Sequence, residues 1–191
     1  KTNLTDRQWV QVRTPAFKAW FGDWENNPAE ASKVIDPQTG EPLIMYHGTS
    51  QSQNGKAFDV FDTYGSRYGL MGLGSYFTAN HDVAQSYTTK GRGDLPRVYA
   101  VHLDIRNPID MDAAADPAAW AAAFDRYGDI AEYLEDDRGT NESYFRAAES
   151  MLQDEMLPTY EGAEIMQNAI MEMGYDGVTH IGGGRYNKQD D

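Results

Sequence analysis

Past Pro108 this chain turns from short runs of mixed pattern to a long block of helix formers, and that change limits the folds open to it. Arg97 to Ile105 sets Tyr99, Val101, Leu103 and Ile105 on one side and Ala100, His102 and Asp104 on the other, which predicts a strand with one buried face. Pro108 is expected to end it, and His102 to sit on its polar side as a surface or hydrogen-bonded histidine. From Asp112 to Gly174 the residues are helix formers with acidic faces. Asp116-Pro117 opens one helix bearing Trp120 and Phe124, and Asn141 is expected to cap a second bearing Tyr144, Phe145, Ala148 and Leu152. A third carries Ile165, Met166, Ala169 and Ile170 and ends at Gly174. The pattern predicts an α+β chain with its helices in one block.

Shorter elements surround these. Thr14-Pro15 caps a helix whose Phe17, Trp20, Phe21 and Trp24 form one aromatic stripe, predicted to pack on a core. Lys33 to Ile35 and Glu41 to Tyr46 flank a turn at residues 36–40 and read as a hairpin running into His47-Gly48-Thr49-Ser50. A glycine-rich stretch from Gly65 to Gly74 leads to a predicted strand, Ser75 to Thr78, and Asn80 caps a helix carrying Val83, Ala84 and Tyr87. Val178 to Ile181 reads as a last short strand.

Composition removes several function classes. With 191 residues the chain suits a single domain over 1–191 with a helical insertion over about 112–174. Apolar residues at 40% and charged residues at 24% exclude wholesale disorder. The absence of cysteine excludes disulfides, thiolate zinc sites and cysteine nucleophiles. Thirty acidic against sixteen basic residues give a net charge of -14, which opposes broad affinity for nucleic acid or anionic membranes. The longest apolar run, Ala118 to Phe124, is too short to span a bilayer.

Familiar sites are also missing. His47, His81, His102 and His180 share no i, i+4 pair and no carboxylate at metal-ligand spacing, so no metal is expected. The run Glu135-Asp136-Asp137 reads as a solvated turn. There is no nucleophile elbow and no P-loop. Gly72-Leu73-Gly74 imitates a dinucleotide fingerprint, but it precedes a strand and lacks the third glycine. What carries chemistry is a strand delivering His47-Gly48-Thr49, Tyr76 introduced by glycines, and Tyr87 eleven residues later, two helical turns past Asn80. Two phenol rings so placed can border a slot for a flat aromatic ring, with backbone groups beside it for a carboxamide.

This set resembles the ADP-ribosyltransferases with a His-Tyr-Glu signature, of the diphtheria-toxin and poly-ADP-ribose polymerase type. His47-Gly48-Thr49 is similar to the His-Gly-Ser/Thr strand of that family, Gly72 to Thr78 to its Gly-x-Gly-x-Tyr-Phe strand, and Tyr76 and Tyr87 to its tyrosine pair. Phe17 to Trp24, Gly40 to Leu43 and Gly174 to Val178 further resemble the transferase domains in polyvalent proteins of phages and conjugative elements.

The resemblance implies a split, mostly antiparallel sheet with a NAD cleft, an N-terminal helix and an inserted helical lobe. It implies that His47 binds the adenosine-side ribose, that the Gly48 backbone holds the nicotinamide carboxamide, that Thr49 or Ser50 supports the ribose, and that Tyr76 and Tyr87 enclose the nicotinamide ring. Gly74, Phe77 and Ala84 line the same site, and Arg67 is the candidate partner of the pyrophosphate. The implied activity is mono-ADP-ribosyl transfer from NAD, without a metal, to a macromolecule, protein before nucleic acid. The implied setting is a bacterial cytoplasm reached from a phage or mobile element. A transferase-like module that binds NAD or a partner without turnover is the alternative. The family's third catalytic group, a carboxylate or amide on a late strand, has no clear counterpart. Glu172, Asp176, Gln189 and Asp190 are weak candidates, and that strand is expected beyond Asp191.

Overall fold

A computed structural model describes residues 1–51, 57–61, 69–89, 93, 95–136, 138–154 and 159–181. The chain falls into two compact units, 1–61 with 75–106, and 62–74 with 107–191. Among the described residues both helices and strands are present, and the strands form one antiparallel pair and one parallel pair.

The first unit opens with two short helices. In α1, Asp6–Gln11, Thr5 and Gln8 form a reciprocal capping box, a signal absent from the sequence reading above. In α2, Pro15–Phe21, the Thr14 side chain accepts from the Phe17 amide and Pro15 occupies the first turn, as expected. The aromatic stripe is shorter than its period predicts. The helix stops at Gly22, whose φ of +96° and close approach to Ala31 admit only glycine. Trp24 therefore reaches the core from the following turn, where its indole N–H donates to the Val12 carbonyl at 3.1 Å. Val12, Phe17, Phe21, Trp24 and Ala31 make this core, while Trp20 remains 46% exposed.

The hairpin after it closes through a single Ile35–Pro42 bridge. Strand β1, Met45–Thr49, pairs antiparallel with β2, Arg97–Val101, with His47 opposite Tyr99 and Gly48 opposite Val98. Pairing was expected to run to Ile105, but it ends at Val101. Beyond it Ser32 takes over, its hydroxyl donating to the Leu103 carbonyl, and the Lys33 amide donates to that of Ile105. His102 is half-buried, not on a polar face. Its ring meets Phe17 edge-on at 5.1 Å, and Nδ1 donates to the Leu43 carbonyl at 3.1 Å.

The second unit holds the larger core. Pro108 does not end a strand; it begins β3, Pro108–Asp110, where a first residue needs no ladder donor. This strand lies parallel to β4, Gly177–Thr179. Between them come α4, Pro117–Ala123, α5, Gly128–Tyr133, α6, Asn141–Asp154, and α7, Thr159–Glu172. Asp116 caps α4 as predicted. Thr140, not Asn141, caps α6, its hydroxyl accepting from the Ser143 amide. Asn141 turns inward instead, accepting from the Trp120 indole at 2.9 Å and donating to the Asp110 carbonyl at 2.8 Å. Trp120, Phe124, Tyr144, Phe145, Ile109 and Met111 are all fully buried here. Gly174 follows α7 with a φ of +89°, as a helix-ending glycine should. Among the described residues, no helix is long and apolar enough to cross a membrane.

Candidate active site

The site lies in the first unit and is built outward from β1. Tyr46 forms an isolated bridge with Thr78, their amides and carbonyls exchanging bonds of 2.7 and 3.0 Å. β1 is thus held on one edge by β2 and on the other by the segment that carries Tyr76 and Phe77. That segment contributes one bridge where a strand was expected, because the glycines before it offer no side chains to pack along a pleat. Gly74, with a φ of +150°, brings the chain in through backbone space that favours glycine.

His47 ties the two segments together. Its Nδ1 lies 2.8 Å from the carbonyl oxygen of Tyr76. A carbonyl can only accept, so Nδ1 is the donor of this bond, and in the neutral ring Nε2 is the acceptor. The ring is surrounded by aromatics: Phe61 at 5.3 Å, Phe77 at 5.5 Å, Phe58 at 6.3 Å and Tyr99 at 6.5 Å between centroids. Phe58 stacks on Tyr99 at 4.7 Å, and the Tyr99 hydroxyl is buried with no hydrogen-bond partner among the described residues. This aromatic frame fixes an imidazole with one defined acceptor nitrogen.

Gly48 performs a second task. A β-carbon there would sit 1.6 Å from the carbonyl oxygen of Ala84, so α3, His81–Tyr87, packs backbone to backbone on β1. Asn80 caps this helix as predicted, its side chain accepting from the amides of Asp82 and Val83. The buried Ala84 anchors the helix, and Tyr87 follows three residues on, 47% exposed. Tyr76 is 42% exposed. Both phenols thus keep a large part of their surface in contact with solvent.

The other predicted positions have more structural surroundings. The Thr49 hydroxyl accepts from the Gln51 amide at 3.0 Å. Ser50 is 3% exposed; its hydroxyl accepts from the Gly93 amide and its carbonyl from that of Leu95. Arg67, Gln189 and Asp190 lie outside the described residues. In the second unit Glu172 is bonded by Arg126, and Asp176 accepts from the Asn107 amide at 2.8 Å. Sequence reasoning passed over Phe58, Phe61 and Arg97. Arg97 is exposed at the end of β2, opposite Thr49 in register, with its guanidinium 5.9 Å from the centre of the Tyr99 ring. Only the strand register, invisible before β1 and β2 are paired, shows that it lies beside Thr49.

A separate hollow of about 370 Å³ lies in the same unit, lined by residues such as Phe17, Trp20, Ile44, Val101 and His102, none of them in the set above.

No curated protein and no solved structure is significantly similar to the chain. A family model described as ADP-ribosyltransferase in polyvalent proteins matches residues 37–189, a span that contains His47, Tyr76 and Tyr87, and the chain belongs to that family.

Proposed function

We propose that this protein transfers ADP-ribose from NAD to a protein acceptor. The reading takes the β1–β2 pair and α3 as walls of a NAD cleft within the first unit. The observation that carries it is the bond from His47 to the Tyr76 carbonyl. It couples the His-Gly-Thr strand to the first of the two open tyrosines and leaves Nε2 to accept from a ribose hydroxyl. The Gly48 backbone, stripped of a side chain, receives the carboxamide, and Tyr76 and Tyr87 hold the nicotinamide ring between them. Arg97 or Arg67 offers the pyrophosphate a cation, which a protein of net charge -14 must supply locally. In the reaction, the bond between nicotinamide and ribose C1′ breaks and nicotinamide departs with the electron pair. The acceptor nucleophile, having lost its proton, then bonds to C1′. The chain's own contribution is to position the sugar and to stabilise its developing positive charge.

One observation favours a second reading, a module that binds NAD or a partner without turnover. Glu172 and Asp176, two acids considered for the third catalytic role, are already engaged by Arg126 and Asn107. The charge ranks nucleic acid below protein as an acceptor. A bacterial cytoplasm, reached from a phage or mobile element, is the setting in which such a domain would act.

Biotinylated NAD incubated with the protein and a bacterial lysate separates these readings. The enzyme labels lysate proteins, and His47→Ala and Tyr87→Ala each lower labelling on the order of 10²-fold, the scale of a misplaced reacting group. A protein whose tryptophan fluorescence responds to NAD but which labels nothing is the binding module. If NAD leaves the fluorescence unchanged and nothing is labelled, both readings fail.

A further inference from the structure

Folding of the second unit assembles a ligand set that no spacing along the chain announces. Asp112 follows β3, Glu142 is the second residue of α6, and His180 follows β4. One donor atom from each lies within 4.8 Å of the other two, and His180 Nδ1 is 3.5 Å from Asp112 Oδ2.

The three positions are locked to one another by main chain. The Met111 amide donates to the Thr179 carbonyl at 3.0 Å, and the Glu142 amide donates to the Met111 carbonyl at 2.8 Å. The Ile181 amide donates to Asp112 Oδ2 at 2.8 Å. Asn141 adds its bond to the Asp110 carbonyl. The residue before Asp112 thus binds those preceding and bearing the other two ligands, and the donors are held in place before any ion arrives.

The imidazole is the second observation. Its side chain is only 13% exposed, and both ring nitrogens are buried with no hydrogen-bond partner among the described residues. Buried polar atoms left in this state cost about 1–3 kcal/mol each. At 3.5 Å the approach to Asp112 is longer than an ordinary hydrogen bond, but it is close to the roughly 3.3 Å that separates neighbouring donors around a tetrahedral zinc ion. Among the described residues Glu142 has Arg146 as a competing partner, at 3.6 Å; that arginine's closer bond, at 2.9 Å, goes to Glu149.

The geometry points to a divalent transition-metal site at Asp112, Glu142 and His180, with Zn²⁺ as its ion. One imidazole and two carboxylates suit Zn²⁺, whereas Ca²⁺ and Mg²⁺ prefer oxygen alone. The outer parts of Asp112 and Glu142 are open to solvent, so water completes the coordination. The ion is a clip joining the end of β4 to the start of α6.

Cobalt, which reports coordination through visible absorption and is displaced by zinc, tests this on the full chain. Co²⁺ should give a band saturating at one ion per chain, and Zn²⁺ should abolish it. Asp112→Asn, Glu142→Gln and His180→Ala should each weaken Co²⁺ binding at least tenfold, while Asp125→Asn, with the same charge change at an exposed position, should not. Excess Zn²⁺ should also raise Tm in the wild type but not in Glu142→Gln with unaltered circular dichroism. No saturable band, or equal binding by the wild type and the three ligand variants, overturns the site. Neither result bears on NAD.

Discussion

The surroundings of His47 in the first unit and the core of the helical unit use aromatic side chains in opposite ways, although the first unit also buries Phe17, Phe21 and Trp24 in a small core of its own. In the helical unit Trp120, Phe124, Tyr144 and Phe145 are wholly buried, and the one indole N–H among them has a partner in Asn141. In the first unit Phe58, Phe61, Phe77 and Tyr99 are only partly covered and gather round a histidine, while Tyr76 and Tyr87 stay almost half exposed. Burial of the first kind stabilises by removing apolar area from water. Aromatic surface of the second kind forgoes some of that stabilisation and stays in reach of solvent. On the proposed function, stability and binding fall to different sets of rings.

Substitutions can break or sharpen this division. The largest effect should come from Trp120→Ala, which leaves a cavity and strips Asn141 of a donor; urea denaturation should show a loss of about 3–5 kcal/mol. Retention of stability within 1 kcal/mol would mean that the helical core is not where stability resides. Gly48→Ala should cost about 1–3 kcal/mol through the clash with the Ala84 carbonyl, and it should also lower NAD labelling by displacing α3 from β1. Tyr76→Ala, by contrast, should lower labelling while changing stability by less than about 1 kcal/mol, because the ring is so exposed.

A smaller effect concerns His102. Burial holds its imidazole below the ordinary histidine pKa, although the bond to the Leu43 carbonyl works the other way. The folded state therefore binds fewer protons than the unfolded one at this residue. Its contribution is complete above about pH 6.5 and is lost as pH falls toward the depressed value. Thermal melts from pH 7.5 to 5 should decline less steeply in His102→Gln than in the wild type. The smallest change has the opposite sign. Gly162 lies inside α7 with room for a methyl group, so Gly162→Ala should stabilise by about 0.5–1 kcal/mol, measured in the same melts.

Local chemistry was legible before folding. Thr14-Pro15, Asn80 and Asp116-Pro117 each satisfy free amides within two or three residues, so their caps could be read directly. His47-Gly48-Thr49, Tyr76 and Tyr87 were recognisable by type and order, and the family match spans them all. Helix α5 was missed because no side chain caps it and it opens on glycine. Asn141 was misjudged because its best partners, the Trp120 indole and the Asp110 carbonyl, are remote in sequence. The frame of Phe58 and Phe61 around His47, the position of Arg97 and the grouping of Asp112, Glu142 and His180 were likewise hidden, since each depends on a pairing between distant strands or helices.

By itself the sequence determined the mixed helix and strand class of the fold, several helix starts, the absence of thiol chemistry and the family to which the chain belongs, because these follow from residue type and order and from bonds made within a turn. Only the tertiary structure decided which nitrogen of His47 donates to the Tyr76 carbonyl, why Gly48 must lack a side chain, and which three ligands meet near the end of β4. Those outcomes depend on atoms brought within a few ångströms by packing, and distance along the chain carries no information about that.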